Sequence, residues 1–223
     1  MTYKIISTGS QGNAVIINDK ILIDCGVPFK ALGPYAKRLR LVLLTHIHSD
    51  HFKPRTVRAL ASERPTLRWG CCDWMTRPLA EAGVDKRRID VLTPGGTYHY
   101  DGLADITPEE VPHNVPNCGY RIQSGRERLF YVTDTGTLDG IEAKNYDLYL
   151  IEANHTKAEI EARIAEKLEA GQFAYEYAAA QNHLSQEQAT DWLSENAGPN
   201  SMYQFLHQHH NRKGGRKCST ESF

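Results

Sequence analysis

The stretch Leu41-Val42-Leu43-Leu44-Thr45-His46-Ile47-His48-Ser49-Asp50-His51 organises the reading of everything around it. An apolar, strand-like run leads straight into three imidazoles and a carboxylate. Crowding these groups together is costly to desolvate without a cation, whereas neutral His nitrogens and Asp oxygens suit Zn, Mn or Fe. Side chains two apart on extended backbone share a face, so His46 and His48 can reach one ion. Asp50 and His51 turn toward a second point. A lone His would read as a surface or satisfied core residue, but H-x-H-x-D-H at the end of a strand reads as a ligand set.

Length and composition bound what can surround that cluster. A chain of 223 residues can build one substantial domain of two or four layers. We expect a single domain over residues 1–210 and a flexible basic C-terminal tail over 211–223, where Arg212, Lys213, Arg216 and Lys217 flank Gly214-Gly215. With 26 Lys+Arg against 27 Asp+Glu there is no global basic field of the kind that announces nucleic-acid binding. No apolar run approaches membrane-spanning length and no export signal is visible, so a cytoplasmic location without membrane association is expected. A homodimer is the candidate assembly. Five Cys (Cys25, Cys71, Cys72, Cys118, Cys218) lack C-x-x-C spacing and suit reduced thiols better than a disulfide framework.

Along the chain, Tyr3 to Ser7, Ala14 to Ile17 and Ile21 to Asp24 read as short strands separated by turns, the first being Gly9-Ser10-Gln11-Gly12-Asn13. A helix is predicted after Pro28 and another from Pro54, whose fixed φ suits a first helical turn. Further strands are predicted at Leu67 to Trp69, Ile89 to Leu92, Gly102 to Glu110, Gly119 to Gln123, Leu129 to Thr133, Leu148 to Ile151 and Met202 to Leu206, with a helix near Asp73 to Ala82. Ile160, Ile164 and Leu168 recur at helical spacing and predict one apolar face on a charged helix ending at Gly171. Ser185-Gln186-Glu187-Gln188 matches a capping box. Strands followed by helices in both halves predict sheets inside and helices outside.

More ligands must come from other strand ends. His113 follows the run to Val111, Asp134 ends Tyr131-Val132-Thr133, and His207 ends Tyr203-Gln204-Phe205-Leu206. In order and type these motifs resemble the metallo-β-lactamase superfamily over nearly the whole chain. The resemblance implies an α/β fold, a four-layer αββα sandwich with a dinuclear site at the sheet edge. It implies two divalent ions, Zn or Mn: His46, His48 and His113 on one, Asp50, His51 and His207 on the other, and Asp134 between them. Within the superfamily the chain is similar to the phosphodiesterase branch, through Thr8-Gly9-Ser10-Gln11-Gly12-Asn13-Ala14, Leu150-Ile151-Glu152-Ala153-Asn154-His155 and Asn182-His183-Leu184-Ser185, which resemble the small YycJ-type (WalJ) predicted exonucleases. His113-Asn114-Val115-Pro116 followed by Gly119-Tyr120-Arg121 resembles the tRNase Z segment. The interval from Asp134 to His207 is too short for the inserted domain of the larger nucleases, and that from His113 to Asp134 too short for a tRNA-gripping arm. Gln208-His209-His210-Asn211 departs from the Ser-Gln-Glu-Asn-like run usual in the YycJ type.

The chemistry implied is phosphodiester hydrolysis of a nucleic acid or nucleotide, an exonuclease-like reaction in which a hydroxide bridging the two ions attacks phosphorus. Asp50 and Asp134 would orient that hydroxide. His183, held by Glu152, would protonate the leaving oxygen as general acid, against the plainer reading that His183 only caps its helix. Alternatives are a cyclic-nucleotide or other small-molecule phosphodiesterase, which the neutral charge and missing RNA arms suit, a thioester or lactam hydrolase of the same fold, and a metal-stabilised binding protein without catalysis. The turn Gly9 to Asn13 reads first as a tight hairpin whose amides could face the site. His155 reads as structural or supporting, His99 as an exposed strand residue, His209 and His210 as a frayed end or substrate contacts. Tyr175 and Tyr177 read first as packing aromatics, although such rings can stack bases.

Overall fold

The structure, a computed structural model, describes residues 1–208 and 221–222. His209, His210 and the expected basic tail fall outside the described residues, except for Glu221–Ser222.

Two six- and seven-stranded sheets form the centre. In the first, β1 (Tyr3–Ser7), β2 (Ala14–Ile17), β3 (Ile21–Ile23), β4 (Leu41–Leu44), β5 (Arg68–Cys71) and β6 (Ile89–Val91) lie in sequence order, antiparallel up to β3 and parallel from β3 onward. The second runs, in space, from β13 (Glu221–Ser222) through β12 (Met202–Leu206), β11 (Leu148–Glu152), β10 (Glu127–Val132), β9 (Asn117–Ser124) and β8 (Ala104–Val111) to β7 (Tyr98–Tyr100). Strands β10, β11 and β12 are parallel, and the remaining pairs are antiparallel.

Side-chain alternation explains why four layers form. In β4, Val42 and Leu44 face one apolar cluster while Leu41 and Leu43 face another; in β10, Phe130 and Val132 part from Leu129 and Tyr131 in the same way. Each central strand is therefore buried on both faces, which is the pattern of a sheet covered on both sides. Leu41, Leu43, Tyr120, Tyr131 and Leu150 fill the space between the sheets. The outer face of the first sheet is covered by α1 (Phe29–Ala36), α2 (Pro54–Glu63) and α3 (Thr76–Glu81), which contribute Leu32, Val57, Leu60 and Leu79. The outer face of the second carries α6 (Gln186–Asn196) through Ala189 and Leu193. The result is the αββα sandwich expected.

Ser185 caps α6 with the predicted reciprocal box to Gln188, and Thr156 caps α4 (Lys157–Glu169) in the same way with Glu159. The expected helix from Asp73 begins as a single 3₁₀ turn, Asp73–Met75, before α3. Helix α5 (Glu176–Asn182) was not anticipated, because Ala178-Ala179-Ala180 carries no apolar period. One expectation fails in kind: of the stripe Ile160, Ile164 and Leu168, only Ile160 is buried and Leu168 is 56% exposed. Period sets which residues share a face, but here the last turns of that face meet solvent, with Ile164 only partly buried. No described helix is long and apolar enough to cross a membrane.

Candidate metal centre

All the singled-out ligands sit just past strand ends on one edge of the sandwich, where the parallel strands of an open α/β sheet present their carboxyl termini. Strand β4 delivers His46 to His51, β10 delivers Asp134, β11 ends in Glu152 and β12 delivers His207, while β8 leads to His113. Asp24, Asp134 and His207 have φ of 64°, 58° and 51°, so the chain turns sharply as it leaves β3, β10 and β12. Left-handed backbone at Asp or His is sparsely populated and persists where the surroundings hold it. Here they do. Asn117 Nδ2 donates to the carbonyls of Thr133 at 3.0 Å and Asp134 at 2.6 Å. His207 N donates to Thr8 Oγ1 at 2.7 Å, and its carbonyl accepts from Asn154 Nδ2 at 3.0 Å.

The first group of donors is His46, His48 and His113. His46 Nε2 lies 3.2 Å from His48 Nδ1, which lies 3.3 Å from His113 Nε2. The other ring nitrogens are already engaged: His46 Nδ1 with Thr45 Oγ1 at 2.9 Å, His113 Nδ1 with the Asn182 carbonyl at 3.1 Å. That arrangement leaves Nε2 of His46 and of His113, with Nδ1 of His48, facing the shared point. Burial, with the His51 charge beside it, drives the His46 imidazole down to about 2, which keeps the ring neutral. Burial likewise lowers His113.

The second group is built on Asp134. Its Oδ2 lies 2.9 Å from His51 Nε2 and 3.1 Å from His207 Nδ1. Neither approach has hydrogen-bond geometry, and Asp134 Oδ2 and His207 Nδ1 are buried without a hydrogen-bond partner. Buried polar atoms are rarely left so, and donor atoms that converge without bonding one another are what a cation between them requires. The donor atoms of His46, His51 and Asp134 all lie within 4.8 Å of one another, as do those of Asp134, Glu152, His183 and His207. The residues present thus fit divalent ions. Asp50 stands at the rim, its Oδ2 3.7 Å from His51 Nε2 and 3.9 Å from His207 Nε2. His207 lies nearer Asp134 and Glu152 than Asp50, a closer tie to the Glu152 side than the expected ligand split suggests.

Glu152 and His183 adjoin this group. The Nδ1–H of His183 donates to Glu152 Oε1 at 2.7 Å, and Glu152 Oε2 accepts from Thr135 N at 3.0 Å and Leu184 N at 3.3 Å. Burial pulls the imidazole down, but the Glu152 hydrogen bond and charge, with Asp134 behind them, push it net upward. His183 is also the C-terminal cap residue of α5. Its ring centroid is 5.5 Å from that of His113 and 5.2 Å from that of His207.

Two residues that support the candidate site escaped the sequence reading. Asp24 is fully buried and accepts from Thr45 N, from Thr45 Oγ1 and from His51 Nδ1, the last at 2.6 Å. It thereby orients His51 directly and His46 through Thr45. Asn13 reaches Asp50 Oδ2 at 3.3 Å and His51 Nε2 at 2.7 Å while its Oδ1 accepts from Gly9 N. The Gly9 to Asn13 turn therefore touches the site through the Asn13 side chain. His155 takes part in a backbone bridge to Ser185 and in none of the donor groups, and exposed His99 pairs with Asp105.

Residues 19–205 match the family described as the beta-lactamase superfamily domain. The chain belongs to that superfamily. Among curated superfamily relatives it is 29% identical over 174 residues to the exodeoxyribonuclease WalJ of Streptococcus pneumoniae, a match covering 69% of this chain and 62% of the relative. The chain thus spans less than two thirds of that relative's length. In backbone it is similar to the metallo-β-lactamase fold protein YhfI of Bacillus subtilis, with a TM-score of 0.71, 19% identity and coverage of 94% and 86% of the two chains. It is also similar to the short form of human tRNase Z, with a TM-score of 0.65, 15% identity and 93% of each chain covered.

Proposed function

We propose that the chain is a metal-dependent phosphodiester hydrolase acting on nucleic acid in the manner of an exonuclease. The observation that carries the reading is the Glu152–His183 hydrogen bond at the wall of the donor cluster. Phosphodiester cleavage needs a proton for its leaving oxygen, and an imidazole held by a buried carboxylate beside the donor cluster is suited to supply it. The name of the pneumococcal relative supports the same substrate class.

His46, His48 and His113 would hold one ion and Asp50, His51 and His207 the other, with Asp134 between them. Zn suits the His count and Mn suits the mixed His/Asp set equally well. Bound divalent ions supply Lewis acidity and lower the pKa of water enough to give a nucleophile near neutral pH. Asp24 and Asn13 keep His51 and Asp50 aimed, so the ligands need little reorganisation. Asp50 and Asp134 would orient the attacking water as the new P–O bond forms, its proton passing to bulk water. As the bond to the leaving oxygen breaks, His183 Nε2 delivers a proton to that oxygen while Nδ1–H stays on Glu152.

The test is a panel in which chelated protein is reloaded with Zn or Mn and offered bis-p-nitrophenyl phosphate, 5′-phosphorylated single- and double-stranded DNA, RNA and cyclic nucleotides. Metal-dependent release of mononucleotides is expected. Turnover of cyclic nucleotides alone would move the substrate to small molecules, a reading favoured by the near-zero net charge. Turnover of thioesters alone would overturn the reaction class.

A further inference from the structure

From residue 173 to 177, across the entry into α5, the chain alternates strictly in exposure. Ala174 and Glu176 are buried, while Phe173, Tyr175 and Tyr177 are 87%, 57% and 51% exposed. Glu176 pairs with Lys167 of α4 at 2.9 Å, and the Lys167 ammonium sits 3.5 Å from the centroid of the Tyr175 ring. The segment is therefore pinned from beneath and holds three aromatic rings outward. Rings of this size are normally buried, and a cluster of them on the surface marks an interaction site.

The position of the cluster indicates what covers it. Helix α5 runs from Tyr177 directly into His183, and its last turn is locked to the site: the Asn182 carbonyl bonds His113 Nδ1, and a Cβ on Gly136 would lie 2.2 Å from the Gln181 carbonyl oxygen. At about 1.5 Å per helical residue, Tyr177 lies roughly 9 Å along the axis from His183. At about 3.4 Å per nucleotide along a stacked strand, that is roughly three nucleotides from the leaving group. Ile47, 41% exposed between two candidate ligands, adds an apolar side chain at the site itself. Residues 157–177 contain five Glu against three Lys and Arg, so this element does not track phosphates. Bases, whose π-faces stack on aromatic rings regardless of sequence, suit it instead.

We infer that Phe173, Tyr175 and Tyr177 form a base-stacking platform that selects an unpaired strand end for the adjoining site. The inference rests on the nucleic-acid reading above and adds a strand preference to it: duplex ends keep their bases stacked inside and find no purchase on these rings.

Binding and cleavage separate the two ideas. Fluorescence anisotropy of the metal-free full chain with a short single-stranded DNA carrying 2-aminopurine measures binding without turnover. We expect quenching of the base and single-strand binding at least about tenfold tighter than duplex binding, since stacking contributes on the order of 5- to 150-fold per base. F173A/Y175A/Y177A should lose at least about tenfold in affinity, and the corresponding triple Leu variant as much, because leucine keeps apolar area but has no π-face. Y175F/Y177F should retain affinity. Hydrolysis of bis-p-nitrophenyl phosphate by all of these variants should equal that of the parent. Equal binding by the Ala and parent proteins, full rescue by Leu, equal loss on the small ester, or a change in oligomeric state of the Ala variant in sedimentation would each overturn the platform. Single-strand binding that follows this pattern without any cleavage would sustain the platform and defeat the nuclease reading.

Discussion

Glu152, the last residue of a fully buried strand, holds His183, the first residue beyond a surface helix, through a 2.7 Å hydrogen bond to Nδ1. The carboxylate is rigid because its second oxygen is occupied by the backbone amides of Thr135 and Leu184. A histidine on the edge of the sandwich is thus positioned from the core.

From this pairing follows a dependence on leaving group. His183→Gln should lower kcat by about 10²- to 10⁴-fold on a dinucleotide or oligonucleotide, whose alkoxide leaving group needs a proton. On bis-p-nitrophenyl phosphate, whose phenolate leaves unaided, the loss should be far smaller. Steady-state rates on the two substrates check this, and equal losses would reduce His183 to a structural cap.

Asp24 should act on metal affinity. It bonds His51 at one nitrogen and supports Thr45, which bonds His46. Asp24→Asn keeps the volume but presents an amide to the His51 Nδ1–H, and metal affinity should fall by about 10- to 100-fold. Competition with a chromophoric chelator measures it directly.

Gly26 is required by close approach. A Cβ there would lie 1.6 Å from the Asp50 carbonyl oxygen. Gly26→Ala must push the ligand loop away from Asn13 and the turn after β3, so unfolding free energy should drop by about 3 kcal/mol or more, at the upper end for overpacking. Denaturant melts of the metal-free protein separate this from any effect on metal binding.

Much of this was legible in the chain because the decisive groups are sequence neighbours. His46 to His51 announce a metal by crowding alone, and double-sided apolar runs such as Leu41–Leu44 announce a covered sheet. Asp24 and Asn13 were not legible, since each acts on His51 across a long sequence separation, and locally Asp24 reads as a strand end and Asn13 as a turn residue. The stripe of α4 misled for another reason. Helical spacing identifies a face but not whether anything lies opposite it, and Leu168 finds solvent. The rings at 173, 175 and 177 were visible as aromatics, but only their alternation with buried Ala174 and Glu176 turns them outward.

Stoichiometric reconstitution bears most directly on the hydrolytic metal centre. Chelated protein should be inert toward bis-p-nitrophenyl phosphate and should regain activity on titration with Zn or Mn up to about two ions per chain, with His46→Ala inactive throughout. Hydrolysis that survives chelation, or that is undiminished in His46→Ala, would contradict the account.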